Sequence, residues 1–273
     1  GLITNAGPAH LEGFGSVEGV ANAKGELFAA LGGDDIAVIN ADDRYAPLWH
    51  ELAAPARVCT FGLSASADCS AREIAAADGS LTFTAVIDGA EYPVRLPVDG
   101  RHNVANACAA LAAAVAAGAQ PDVACRRIAG MTAAAGRLNR RLLADGTLLI
   151  DDSYNANPSS MRVAATVAQG CGRPVWAALG DMGELGPDAE RMHAELGADL
   201  AKLGVERLFA HGPLMRAAVA AFGNGGTHFD DIDALTDTLL AAPHTAVTVL
   251  VKGSRAAGME RVVAALARAA GGS

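Results

Sequence analysis

The sequence predicts an α/β protein of two domains, the second built on a mostly parallel sheet with helices on both faces. Three observations carry this. At 273 residues the chain is long for a single domain. Past residue 136, short apolar runs alternate with helical stretches, as in βαβ units. Several of those runs end in dense polar clusters, and open α/β sheets bind their ligands at that edge.

The elements follow in order. Leu2-Ile3-Thr4 reads as a strand end, and a helix runs from about Ser16 to Leu31, where Glu18 suits the positive end of the helix dipole. Ile36 to Asn40 and Arg57 to Phe61 are continuous apolar runs, as in strands buried on both faces. Leu81 to Ile87 and Tyr92 to Val98 flank Asp88-Gly89, a hairpin turn. Asn103 to Ala117 is a helix of high propensity that stops at Gly118, and Asp122 to Ala129 is a short second one. Gly130 to Gly136 is small-residue linker, which divides the chain into 1–136 and 137–273. Arg140 to Ala144 and Thr147 to Asp151 flank the turn Asp145-Gly146. Further strands fall at Val175 to Leu179, Arg207 to Ala210 and Ala246 to Val251. The helices between and after them span about Ser159 to Gln169, Asp188 to Leu203, Leu214 to Phe222, Ile232 to Ala241 and Met259 to Ala269.

Apolar residues make up 51% of the chain and aromatics only 4%, so the core must be built from Ala, Val and Leu. A net charge of −9 disfavours nucleic-acid backbones as partners. It leaves room for small anionic substrates at a local positive site. The five cysteines lack zinc or CxxC spacing and read as reduced thiols filling apolar space in a cytoplasmic protein. The opening Gly1-Leu2-Ile3-Thr4-Asn5 is not a signal peptide, and the longest apolar run, around Ala107 to Ala117, is too short to span a bilayer. No membrane insertion is expected.

The strongest functional signal is Asp152-Ser153-Tyr154-Asn155-Ala156-Asn157-Pro158, which follows the apolar run Thr147 to Ile150. A strand delivers a carboxylate, amides and a phenol to its carboxyl end, and a proline then starts a helix. Asp181-Met182-Gly183-Glu184-Leu185-Gly186 and Lys252-Gly253-Ser254-Arg255 repeat that placement after two other strands. Three polar strand ends in one sheet point to a substrate cleft. In the first half, Gly100-Arg101-His102-Asn103-Val104-Ala105-Asn106 opens a helix whose free N–H groups attract polar or anionic ligand atoms. Asn103 suits a helix cap, whereas Asn106 lies where asparagine is a poor helix former, which favours a binding role. Arg137, after Gly136, suits either a phosphate or ribose clamp or an interdomain salt bridge. His10 and Lys24, fourteen residues apart, are unremarked by local chemistry alone. Gly13 to Gly19 does not fit the dinucleotide fingerprint, since three residues separate its last two glycines, and no Gly-Lys dipeptide occurs for a Walker A loop.

Taken together, these segments and Asn5-Ala6-Gly7-Pro8-Ala9-His10-Leu11-Glu12-Gly13-Phe14-Gly15-Ser16 resemble the Mur ligases, the ATP-dependent amide-forming enzymes of peptidoglycan synthesis. The Asp-Ser-Tyr-Asn-Ala-Asn-Pro and Leu-Gly-Asp-Met-Gly-Glu-Leu strings resemble the branch that joins D-alanyl-D-alanine to UDP-N-acetylmuramoyl-tripeptide. The resemblance implies a partial central ATPase domain followed by a Rossmann-like C-terminal α/β domain. It implies Mg²⁺ held by His10 and by Lys24 as a carbamate, a hard oxygen donor where a free ammonium would repel the cation. It implies ATP contacts from Asn106, Arg137 and Asp152, with Asn103 and His102 as further candidates. Tyr154, Asn155 and Asn157 would face the peptide substrates, with Ser254 and Arg255 beside them. The family has three domains, and its UDP-sugar domain, glycine-rich phosphate loop and metal-binding glutamate have no counterpart here. The chain is therefore expected to be an inactive fragment of a cytoplasmic monomer, with an exposed sheet edge in its first half. Two other readings stand beside it: another amide ligase of the same superfamily, such as the folylpolyglutamate type, or a non-catalytic α/β binding remnant.

Overall fold

The computed structural model describes residues 1–7, 11–64, 66–77, 80–98, 100–131, 134–242 and 246–271. They group into two compact units, one of Gly1–Gly7 with Phe14–Thr132 and one of Pro8–Gly13 with Ala133–Ser273. The chain opens with β1 (Leu2–Ile3) and the one-turn helix α1 (Leu11–Phe14).

In the first unit, α2 (Val17–Ala29) starts at Ser16, whose Oγ accepts the Gly19 N–H at 3.0 Å. After it come β2 (Ile36–Asn40), α3 (Ala46–Leu52), β3 (Arg57–Gly62) and β4 (Cys69–Ala77). The hairpin strands β5 (Ser80–Ile87) and β6 (Ala90–Leu96) precede α4 (Arg101–Ala116) and α5 (Pro121–Ile128). The six-stranded sheet runs β1-β2-β3-β4-β5-β6, parallel through β4 and antiparallel beyond it. The hairpin turns at Asp88 and Gly89, with φ of 49° and 82°, the left-handed pair a two-residue turn of this hand requires. The pleat sends Ala37 and Ile39 into one core with Phe28 and Trp49, and Val38 into another with Phe61, Leu81 and Leu111. Cysteines 69, 108 and 125 are buried, and none of the five cysteines is in a disulfide. β1 forms an edge and β6 the other; Pro93 sits in β6, where a missing donor is tolerated.

In the second unit, β7 (Asn139–Leu142) and β8 (Leu148–Asp152) form a hairpin. Then α6 (Pro158–Gln169), β9 (Val175–Gly180), α7 (Ala189–Lys202), β10 (Arg207–His211), α8 (Met215–Phe222) and β11 (Gly226–Phe229) alternate. The chain closes with α9 (Ile232–Ala241), β12 (Thr248–Lys252) and α10 (Glu260–Gly271). The sheet order is β11-β10-β9-β12-β8-β7, and only β7 is antiparallel to its neighbour. Helices cover both faces. Ile150 and Leu250 pack with Met161, Leu196 and Met215 on one side, while Leu149, Val249 and Val251 pack with Leu235, Val262 and Leu266 on the other. Because β12 inserts between β9 and β8, the polar ends of these three strands are neighbours on one edge. In register, Lys252 faces Asp152 on one side and Leu179 on the other.

Four of these elements are absent from the sequence reading: the one-turn α1, and β4, β11 and α3. β4 is Cys-Ser-Ala-Arg-Glu-Ile-Ala-Ala-Ala, a composition that favours helix; pairing with β5, across a bulge between Arg72 and Ala75, makes it a strand. β11 is four residues at a sheet edge, and α3 is a short helix that exists to bury Trp49. No helix among the described residues is long and apolar enough to cross a membrane.

Candidate functional site

The exit of β8 is tied down residue by residue. The Ser153 hydroxyl donates to Oδ1 of Asp151 at 2.6 Å. The Tyr154 N–H donates to the Gly136 carbonyl at 3.1 Å. Gly136 has φ of +71°, and a Cβ there would stand 2.9 Å from the Tyr154 nitrogen, so the position demands glycine on both counts. Asn157 caps α6: its Oδ1 accepts the Ser160 N–H at 2.8 Å, and the Ser160 hydroxyl accepts the Asn157 N–H at 3.0 Å. Pro158 follows at the helix start. The loop backbone is therefore hydrogen-bonded at Tyr154 and Asn157 while the Tyr154 and Asn155 residues are exposed. The Arg137 guanidinium lies 4.4 Å from the centre of the Tyr154 ring, a cation–π contact.

Beneath this loop, Lys252 is buried at 3% exposure and sets its ammonium 2.6 Å from Oδ2 of Asp152. It also donates to the Asn155 carbonyl at 2.7 Å. The other Asp152 oxygen accepts the Leu138 N–H at 3.1 Å. Burial pulls the Lys252 pKa below its ordinary value of 10.5, against the opposing pull of Asp152; the nearby Arg137 charge lowers it further.

At the end of β9, Asp181 accepts N–H groups from Met215 at 2.9 Å and Leu214 at 3.4 Å, and so caps α8. Its carbonyl accepts the Ser254 N–H at 2.9 Å, which joins the β9 and β12 exits. Their glycines permit this: a Cβ on Gly253 would be 3.2 Å from the Gly180 Cα. The Met182 N–H donates to Nε2 of the fully buried His193 at 3.0 Å. Ser254 is buried, and Arg255 is exposed with Glu260 3.6 Å away. One edge thus presents exposed guanidinium groups, a phenol and an amide over a fixed backbone. Such groups suit a ligand bearing a carboxylate and peptide amides.

In the first unit, α4 is capped by Gly100 at φ 88°, not by Asn103 as the sequence reading has it. Asn103 lies inside the first turn, and its Oδ1 accepts a hydrogen bond from Nδ2 of Asn106 at 3.2 Å. His102 and Asn106 are both exposed at that helix start. Lys24 is exposed, not buried, and its Nζ donates to the Asn5 carbonyl at 2.8 Å. His10 lies outside the described residues. Among the described residues no cluster of three or more His, Cys, Asp or Glu could hold a metal. An unmodified Lys24 offers a cation only a donor, so it fits a metal site solely as a carbamate.

The sequence reading places Asp181 and Lys252 in polar strand ends without giving either a role, and it passes over His193. Lys252 had a visible signal: a lone cation closing the buried run Thr248-Val249-Leu250-Val251. The capping of α8 by Asp181 and the place of His193 had none, because their partners are set by the fold.

Residues 1–114 match the family described as Mur ligase middle domain, and residues 136–255 match Mur ligase, glutamate ligase domain. Over 269 residues the chain is 41% identical to the UDP-N-acetylmuramoyl-tripeptide--D-alanyl-D-alanine ligase of Escherichia coli (strain K12), covering 97% of this chain and 59% of that protein. It is 34% identical to the same-named ligase of Haemophilus influenzae, covering 97% of this chain and 58% of that one. A crystal structure of MurF from Acinetobacter baumannii is similar with a TM-score of 0.89 at 33% identity, covering 98% of this chain and 59% of the other. MurF ligase from Thermotoga maritima in complex with ADP gives 0.84 at 25% identity, covering 98% and 61%. The chain spans less than two thirds of these relatives' length.

Proposed function

Because the chain belongs to the Mur ligases, carrying their middle and C-terminal domains, we propose that it forms part of an ATP-dependent ligase joining D-alanyl-D-alanine to UDP-N-acetylmuramoyl-tripeptide. The observation that carries this is the polar edge of the second sheet, where Tyr154, Asn155 and Arg255 stand exposed over a backbone locked by Gly136, Lys252 and the Asn157 cap.

The reading assigns 1–136 to nucleotide binding and 137–273 to substrate binding with further nucleotide contacts. Asn106, with Asn103 and His102 beside it, faces the adenine. Arg137 serves ribose or phosphate. Asp152 contributes there through its place in the strand end, its carboxylate being engaged by Lys252 and Leu138. Tyr154, Asn155, Asn157, Ser254 and Arg255 receive the peptide substrates. Mg²⁺, held by His10 and a carbamate on Lys24, would screen the charge of the transferring phosphoryl group. The tripeptide carboxylate takes the γ-phosphoryl group of ATP and ADP leaves. The dipeptide amine then attacks the acyl carbon, expels phosphate and loses a proton. The chain's own contribution is to fix the dipeptide carboxylate by guanidinium contacts and hold the amine in line. ATP and a UDP-linked substrate place the reaction in the cytoplasm.

Calorimetric titration of the 273-residue chain with D-alanyl-D-alanine tests this. Binding should be selective over D-glutamate and weaken about tenfold or more in Arg255→Ala, as expected for one lost charged contact. Absence of dipeptide binding, or equal affinity for glutamate, would overturn the assignment.

A further inference from the structure

We propose that Lys252 is a positioning residue for the loop Ser153 to Asn157, a strut that fixes the backbone beneath Tyr154 and Asn155. The functional part of this inference rests on the reading of that loop as the dipeptide site. An ammonium has three donors, and all of those of Lys252 face the β8 exit. One meets Oδ2 of Asp152 at 2.6 Å, one the Asn155 carbonyl at 2.7 Å, and the longest contact is the Asp152 carbonyl at 3.5 Å. The Asp152 carboxylate is itself anchored, since its second oxygen takes the Leu138 N–H at 3.1 Å. Two successive loop residues are thus held from inside by their backbones, Tyr154 through Gly136 and Asn155 through Lys252, while their side chains are exposed.

Stability alone does not ask for a lysine here. A buried ion pair replaced by apolar groups of like volume is often no less stable. An apolar side chain on β12 cannot, however, hold the Asn155 carbonyl. The arrangement therefore orders the loop before a ligand arrives, which spares the ligand the entropy of doing so.

The test compares wild type, Lys252→Met and the double variant Asp152→Asn/Lys252→Met by hydrogen exchange and by dipeptide titration. Lys252→Met keeps the stem but leaves Asp152 uncompensated. The double variant removes both charges and keeps the chain folded if the single variant is lost. In both, exchange at residues 153–157 should rise about tenfold or more, with β9 and β10 amides as protected as in wild type. Dipeptide affinity should fall about tenfold or more, even where the double variant regains the thermal midpoint of wild type. A folded double variant with wild-type exchange across 153–157 would overturn the proposal, because Lys252 would then serve only to balance Asp152. The exchange measurement needs no ligand. A wild-type chain that fails to bind the dipeptide therefore defeats the substrate reading alone, while the strut is still decided by exchange.

Discussion

The Met182 N–H donates to Nε2 of His193 at 3.0 Å, and Nδ1 of the same ring lies 2.7 Å from the Ala189 carbonyl. These partners fix the tautomer: Nδ1 carries the proton and Nε2 accepts. A ring with no exposed surface thereby anchors the first turn of chain beyond β9 to α7. His193→Ala should cost about 2–4 kcal/mol, from lost packing plus an orphaned buried N–H. Urea unfolding gives the magnitude, and imidazole nitrogen shifts give the tautomer. A ring protonated on Nε2 would refute the anchor.

Gly197 marks where α7 and α8 meet. A Cβ there would collide with the Ala218 carbonyl, and its backbone φ is ordinary, so the constraint is contact rather than conformation. Gly197→Ala should destabilise the chain by about 1–3 kcal/mol through forced separation of the helices. The thermal midpoint should drop accordingly. An unchanged midpoint would mean that α7 and α8 separate at no cost.

How legible all this was depended on how local the causes are. β2 could be read because Ala37, Val38 and Ile39 are buried on both faces, which leaves an uninterrupted apolar run. The Asp88-Gly89 turn was visible because two left-handed residues need that dipeptide. The loop Asp152 to Pro158 stood out by the density of its polar groups. β4 was hidden because its own residues favour helix and its partner decides otherwise. The strut was hidden because Lys252 meets carbonyls 97 and 100 residues away in sequence. Asn103 was misjudged as a cap because a glycine with positive φ, which has no side-chain signal, takes that place.

Asn157 has two candidate duties, capping α6 and contacting substrate, and one pair of substitutions separates them. Asn157→Ala removes the acceptor for the Ser160 N–H and should cost about 1 kcal/mol of stability. Asn157→Asp keeps that acceptor and adds charge at the positive helix end, so stability should hold or rise slightly. If the side chain also meets the dipeptide, Asp should weaken its binding at full stability. Equal dipeptide affinity in wild type and Asn157→Asp would leave capping as its duty.

The buried ammonium of Lys252 makes a prediction about alkaline pH. Its folded pKa lies below 10.5 because burial disfavours the charged form. Below the folded value both states hold the proton, and the cost of burying the charge is present in full. Between the folded value and 10.5, the unfolded chain keeps a proton that the folded chain has released, so stability rises with pH through that window. Above it the relief is complete. Other lysines, tyrosines and thiols titrate in the same range, so the quantity to follow is the difference in urea midpoint between wild type and Lys252→Met. That difference should move in favour of wild type as pH climbs from about 7 towards about 10. Parallel curves for the two proteins would show that the ammonium of Lys252 is no more costly folded than unfolded, and that Asp152 offsets its burial entirely.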